Sequence, residues 1–414
     1  MSRSTVTASK PALPGRFRPE AAAAVHTATL MTFYAASSAP TPLYRLYQTA
    51  WAFSPMLLTT IYSAYALVLL ASLLSAGALS DYIGRRPVIG TALLLELLAM
   101  GVFLCATSPV WLIGARALQG LATGLASAAL GAALLDLHHE RGALTNSIAP
   151  MTGMALGALG ASALLQFAPA PLHLVYALLL LVFAAETALT WGTPETAVRR
   201  HGAWASLRPS VVIPVRARAA LLAVTPINVA IWMLGGFYLS LMPSLIAKVT
   251  HSSSVWLGGL AVAALTLSGA AAIMVARRRA SFSALLAGAV MLAAGMLAIL
   301  LGVNHGMAPV LLAGSVIAGV GFGAGFLGAL RTVMALAEPA ERAGLMAAFY
   351  VECYLANSLP AIAAGFMARR AGLVATANIY GAVIITLSLA AIALALVNQR
   401  RARATALPSC PSHG

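Results

Sequence analysis

The chain has 414 residues, 61% of them hydrophobic and 8% charged, with a mean hydropathy of +0.90 and a formal net charge of +15. Soluble domains carry about 25% charged residues, so this composition excludes an ordinary soluble fold, while the length suffices for about twelve membrane spans of ~20 residues. The basic residues sit in tails and loops, which reads as membrane orientation and not as nucleic-acid binding, and Cys105, Cys353 and Cys410 have no disulfide or zinc spacing.

Residues 1–20 are polar and basic, with Arg3, Lys10, Arg16 and Arg18, and are read as a cytoplasmic tail. The apolar stretch at 21–40 has no convincing cleavage site after it, so it is taken as the first span and not as a signal peptide. A loop with Arg45 and Trp51 follows Pro40-Thr41-Pro42. Spans two to six are expected near 55–79, 88–106, 110–135, 143–167 and 172–191, with His138-His139-Glu140-Arg141-Gly142 as a turn. Residues 192–218 change texture: Arg199, Arg200, Arg208, Arg216 and Arg218 stand among prolines in one long central loop. Spans seven to twelve are expected near 219–246, 255–276, 282–303, 309–335, 345–367 and 374–397, before a basic tail from Arg400. The implied domains are a first six-helix bundle at 21–191, the loop at 192–218, a second bundle at 219–398 and a tail at 399–414.

Two internal observations support this count. With both tails and the central loop in the cytoplasm, that side carries about 20 positive residues, against Arg45, Lys248, Arg369 and Arg370 opposite. The halves also repeat. Span four reads Gln119-Gly120-x-x-x-Gly124 and is followed by Glu140-Arg141-Gly142; span ten reads Gly319-x-Gly321-x-Gly323-x-Gly325 and is followed by Glu341-Arg342-Ala343-Gly344. Repeats of this kind build many transporters, with the substrate site between the halves. The G-x-G-x-x-G at Gly323 to Gly328 is not a dinucleotide site, because no strand precedes it. No ATP-binding loop, metal cluster or catalytic constellation is visible, so no cofactor and no enzyme activity is expected.

Gly77-Ala78-Leu79-Ser80-Asp81-Tyr82-Ile83-Gly84-Arg85-Arg86-Pro87 is a short charged turn between two apolar segments, so it lies in water or at headgroups. Gly84 can supply a turn dihedral closed to other residues, and Pro87 can open the next helix at its first position. The spacing of Gly77, Asp81, Gly84, Arg85 and Arg86 resembles the loop signature of the major facilitator superfamily, with Tyr82 standing where that family usually has Arg or Lys. Arg116-Ala117-Leu118-Gln119-Gly120 is similar to the fourth-helix signature of the same family. Arg116 lies inside an apolar segment and must be paired, face water or snorkel to headgroups. Gly153, Gly157 and Gly160 resemble the antiporter motif, but Ala158 replaces its proline, and a close-packing face is the simpler reading.

The resemblance implies an all-α membrane protein of twelve transmembrane helices in two pseudo-symmetric six-helix bundles. It further implies that spans 1, 4, 7 and 10 line the cavity and that spans 3, 6, 9 and 12 are peripheral. Cavity candidates are then Arg116 and Gln119, with His26, Phe33 and Tyr34 on span 1, Asn228 and Trp232 on span 7, and Tyr350, Tyr354 and Asn357 on span 11. Glu352, Glu96 and Glu186 lie within apolar segments and are candidate proton carriers, with Glu352 the best placed because span 11 lies between the halves. Asp81 is expected to lock against the start of span 11. The expected function is secondary transport by alternating access in a bacterial inner membrane, in the leading version proton-coupled efflux of drug-like compounds by a monomer with both termini cytoplasmic. A symporter or facilitator importing a metabolite or organic anion, and a non-transporting sensor of the same fold, are the alternatives. The expected partners are a small-molecule substrate, protons and the lipid bilayer, with no nucleic acid.

Overall fold

The computed structural model describes residues 15–252 and 254–405, with backbone only for 400–405. Of the expected tails at 1–20 and 399–414, residues 1–14 and 406–414, with Cys410, lie outside the described residues. Twelve long helices form the spans: 1, Pro19–Ser38; 2, Pro55–Ala76; 3, Arg85–Leu104; 4, Pro109–Leu137; 5, His139–Phe167; 6, Pro171–Thr190; 7, Val215–Ser240; 8, Trp256–Ala276; 9, Ser281–His305; 10, Ala308–Met334; 11, Arg342–Ala371; and 12, Leu373–Thr405. Eleven of these are long and apolar enough by composition to cross a membrane; span 1 falls short because its sequence carries His26, five threonines or serines after it, and Glu20 at its start.

Several boundaries differ from expectation for local reasons. The segment after span 1 is not a loop but a second helix, Pro40–Trp51, in which Pro40 and Pro42 occupy the first turn, where a missing N–H costs nothing. Span 7 ends at Ser240, and Met242–Thr250 forms its own helix with Pro243 in the first turn. The turn expected at His138–Gly142 is confined to His138, because residues 139–142 already belong to span 5. Ser80–Ile83 is a one-turn helix, and Pro87 is the third residue of span 3, not the first. The tail expected from Arg400 begins as a continuation of span 12.

Packing repeats across the halves. In the first half span 1 packs on 5, 2 on 4, 3 on 4, and 3 on 6; in the second, 7 packs on 11, 8 on 10, 9 on 10, and 9 on 12. Spans 5 and 8, and spans 2 and 11, join the halves. Small residues permit these approaches. A Cβ on Gly153 or Gly157 would collide with the carbonyls of Met31 or Ala35 on span 1, and one on Gly323 with the carbonyl of Gly269 on span 8. Large apolar side chains on the peripheral spans stay exposed: Leu94 and Leu98 on span 3, Leu181 on span 6, Leu297 on span 9 and Leu389 on span 12. In lipid such a surface is at no disadvantage.

Candidate functional site

Three residues apart on span 4, Arg116 and Gln119 project from one face. Both are buried, as is Glu96 on span 3. An Arg116 terminal nitrogen donates to Gln119 Oε1 at 2.6 Å and to the Ser37 carbonyl at 2.8 Å, and Gln119 Nε2 donates to Glu96 Oε1 at 3.0 Å. The amide thus links a buried cation to a buried carboxylate. Each needs such a partner, because an isolated charge in an apolar interior is prohibitively costly. The guanidinium carbon also lies 4.3 Å from the ring centre of Tyr65 and 5.8 Å from that of Tyr62. Arg116 is therefore not a snorkelling residue. Span 3, expected to be peripheral, turns Glu96 inward while Leu94 and Leu98 face out.

The tyrosines lead across to the second half. Tyr62 Oη donates to Asn357 Oδ1 at 2.8 Å, Asn357 Nδ2 donates to the Trp232 carbonyl at 3.3 Å, and Ser63 Oγ donates to the Ser358 carbonyl at 3.3 Å. Tyr65, Leu69 and Leu70 of span 2 form one buried cluster with Tyr354 of span 11, against which Trp232 and Tyr350 pack. Trp232 meets Tyr354 at 5.1 Å between ring centres and Phe326 at 6.1 Å. Its Nε1 is buried without a hydrogen-bond partner. Asn228, one turn earlier, donates to Cys353 Sγ at 3.3 Å. Tyr354 and Asn357 of span 11 thus look toward span 2 and span 7.

Other candidates fall elsewhere. Phe33 packs edge-on against Phe183 of span 6 at 5.2 Å, so the face of span 1 expected to line a cavity points into its own half. His26 is buried on that face with Nδ1 unpartnered. The neighbouring Tyr34 is better placed, with its hydroxyl 3.2 Å from Ser127 Oγ on span 4. Glu186 accepts a hydrogen bond from Thr32 at 2.7 Å within the first half. Glu352 is half-buried, with Oε1 unpartnered.

At the loop between spans 2 and 3, Gly84 has φ +103°, a dihedral that L side chains rarely adopt. Gly77 closes span 2, its N–H donating to the Leu73 carbonyl at 3.1 Å. Glu195 of the central loop accepts the backbone N–H groups of Arg85 at 2.8 Å, Arg86 at 3.1 Å and Ala197 at 3.1 Å. The carboxylate caps the otherwise unsatisfied start of span 3 and complements its dipole. Arg85 pairs with Asp81 at 2.6 Å and with Asp136 of span 4 at 3.3 Å, and donates to Ser80 Oγ at 2.7 Å. Arg86 donates to the Trp191 carbonyl. Among the described residues, Asp81 has no hydrogen bond to the start of span 11, contrary to expectation; there Val212 N–H donates to the Gly344 carbonyl at 3.3 Å, and Arg216 pairs with Glu338 and Glu341. Asp136 and Glu195 escaped the sequence reading. The available signal was that they are carboxylates next to the same arginine-rich surface, in a chain with only 10 acids.

Residues 27–349 match the family described as the Major Facilitator Superfamily. No curated protein matches the chain. Among solved structures, the crystal structure of a mutant of the nucleoside transporter NupG superposes with a TM-score of 0.70 at 12% identity, covering 91% of this chain and 100% of that one. At that identity the likeness concerns the fold.

Proposed function

The chain belongs to the major facilitator superfamily, and on that premise we propose that it carries a planar, uncharged, drug-like solute out of a bacterial cell by alternating access, coupled to protons. Membership makes it a multi-pass membrane protein and a secondary transporter of a solute, and points away from an enzyme. The observation that carries the finer reading is the aromatic centre shared by both halves: Tyr65, Tyr350, Tyr354, Phe326 and Trp232, with a buried indole N–H that has no acceptor. Rings of this kind stack on planar groups, and an unpartnered donor favours a ligand with one acceptor. Arg116 supports an organic anion poorly, since it is buried and already donates to Gln119 and to the Ser37 carbonyl. A nucleoside, the substrate named for the structural neighbour, belongs to the planar uncharged class and is a natural member of the test panel.

For the proton we favour Glu352 over Glu96. Glu96 is fully buried and already accepts a hydrogen bond from Gln119. Glu352 is only half-buried, its Oε1 has no hydrogen-bond partner among the described residues, and it lies on the span that bonds to span 2. The positive-inside count supports both termini and the central loop being cytoplasmic. The loop of Asp81, Gly84, Arg85 and Arg86, with Asp136 and Glu195, serves in this reading to hold the cytoplasmic ends of spans 2, 3, 4 and 6 together as one body. The test is flux of chloramphenicol and of uridine in proteoliposomes under an imposed pH gradient. Glu352→Gln is expected to abolish the response to pH while retaining exchange; a full response in that variant removes Glu352 from the mechanism.

A further inference from the structure

The face opposite the central loop carries a second concave site, outside the aromatic centre. Two short helices meet there, Pro40–Trp51 following span 1 and Met242–Thr250 following span 7. The first is tied to the end of span 7, just before the second begins, by Thr41 Oγ1, which donates to the Leu239 carbonyl at 3.0 Å. Between them lies a cleft of about 370 Å³ lined by Arg45, Gln48, Thr49, Ser244, Ala247 and Lys248. A second lobe of about 240 Å³ shares Arg45, Thr49 and Ala247 and is otherwise mainly apolar, with Pro42, Leu46, Pro243 and Val255.

The charges in this cleft are uncompensated. Among the described residues, neither Arg45 nor Lys248 has an ion-pair partner. None of the 10 acidic residues lies in any connection on this face, at 39–54, 105–108, 168–170, 241–255, 306–307 or 371–372. Two cations in one concavity, with amide and hydroxyl donors between them, form a site that attracts an oxyanion and repels cations. The adjoining apolar lobe adds a requirement for a hydrophobic part. We propose that this cleft binds an amphiphilic organic anion, its carboxylate or phosphate between Arg45 and Lys248 and its apolar part against Pro42, Leu46 and Pro243. Arg45 belongs to the first half and Lys248 to the second, so a bound anion ties the halves together on this face and favours the state in which it is closed. The proposal stands apart from the transport reading, because its test measures binding alone.

The test is isothermal titration of the purified full-length protein in a neutral detergent with benzoate, with its uncharged isostere benzamide, and with inorganic phosphate. Benzoate is expected to bind at least tenfold more tightly than either of the others. Arg45→Gln and Lys248→Gln are each expected to weaken benzoate at least tenfold; both side chains are exposed, so the variants are expected to fold as the parent does. Repeating the titration in nanodiscs with and without phosphatidylglycerol identifies the source of the anion. Lost benzoate affinity with the anionic lipid assigns the site to a lipid headgroup, and unchanged affinity to a soluble anion; both support the site. Equal binding of benzoate and benzamide, equal binding of phosphate and benzoate, or parent-like affinity in both variants overturns the proposal.

Discussion

Replacing Gln119 by Leu removes the link between Arg116 and Glu96 while leaving both charges in place. Gln119 makes two side-chain bonds, at 2.6 and 3.0 Å, and all three residues are buried. The Gln119–Glu96 bond joins two spans and is worth ~0.6–1.7 kcal/mol, and the Arg116–Gln119 bond, within span 4, is a bond to a charged group worth ~1.5–3 kcal/mol, so together they amount to ~2–5 kcal/mol. Breaking a buried charged arrangement costs ~3–5 kcal/mol because it leaves the charge uncompensated. The two ranges overlap from ~3 kcal/mol upward. At ~2 °C per kcal/mol, the low end of the scale for a chain the size of one half, the midpoint of heat unfolding should fall by at least ~6 °C. Light-scattering or fluorescence-detected melting of the purified protein reads this directly. Gln119→Glu, which can still accept from Arg116 but cannot donate to an ionised Glu96, should fall between the parent and the Leu variant. A Gln119→Leu protein melting within ~1 °C of the parent would show that the two charges are satisfied by something other than Gln119, and the argument against an anion at Arg116 would go with it.

The remaining expectations concern other parts of the same frame. Gly157→Val should lower folded yield and cost at least the ~1–3 kcal/mol of overpacking, because its side chain would meet the Ala35 carbonyl, whereas Gly160→Val, with nothing within 4 Å, should be tolerated; equal effects would contradict the packing of spans 1 and 5. Glu195→Ala should raise amide exchange at residues 85 and 86 and cost ~0.5–2 kcal/mol as a lost cap, and unchanged exchange there would remove Glu195 from that role. Asp81→Asn should cost under ~1 kcal/mol, since Asp81 is half exposed and Arg85 keeps Asp136; a larger loss in melting would mean a deeper contact than the one seen. Trp232→Ala should weaken binding of chloramphenicol and uridine by at least tenfold, and unaltered binding would move the site away from the aromatic centre.

The fold was legible because the bilayer imposes one rule on all twelve segments: long apolar runs, with charges collected where the chain leaves the membrane. The glycines of span 5 could be read as a contact face for the same reason, since small residues are how membrane helices approach. What the sequence did not disclose was direction around a helix. Phe33 and Tyr34 are neighbours, yet one packs on Phe183 inside the first half and the other reaches Ser127, because the helix turns ~100° between them. Span 3 looks uniformly apolar, so nothing local distinguished Glu96 facing inward from Leu94 and Leu98 facing lipid. Asp136 and Glu195 were hidden by distance, their partner Arg85 lying 51 and 110 residues away. The helix at Pro40–Trp51 was missed because two prolines read as a break, although at a first turn they begin a helix.

The account's central claim is that the aromatic centre between the halves takes a planar, uncharged solute that crosses with alternating access. Counterflow in proteoliposomes tests this without assuming a driving force: vesicles are preloaded with unlabelled solute, and entry of the labelled form is followed for chloramphenicol and for uridine. The account predicts a transient overshoot of at least one of them in the parent protein, lost in Trp232→Ala and retained in Glu352→Gln. Absence of an overshoot for both solutes, or one that survives Trp232→Ala unchanged, would contradict it.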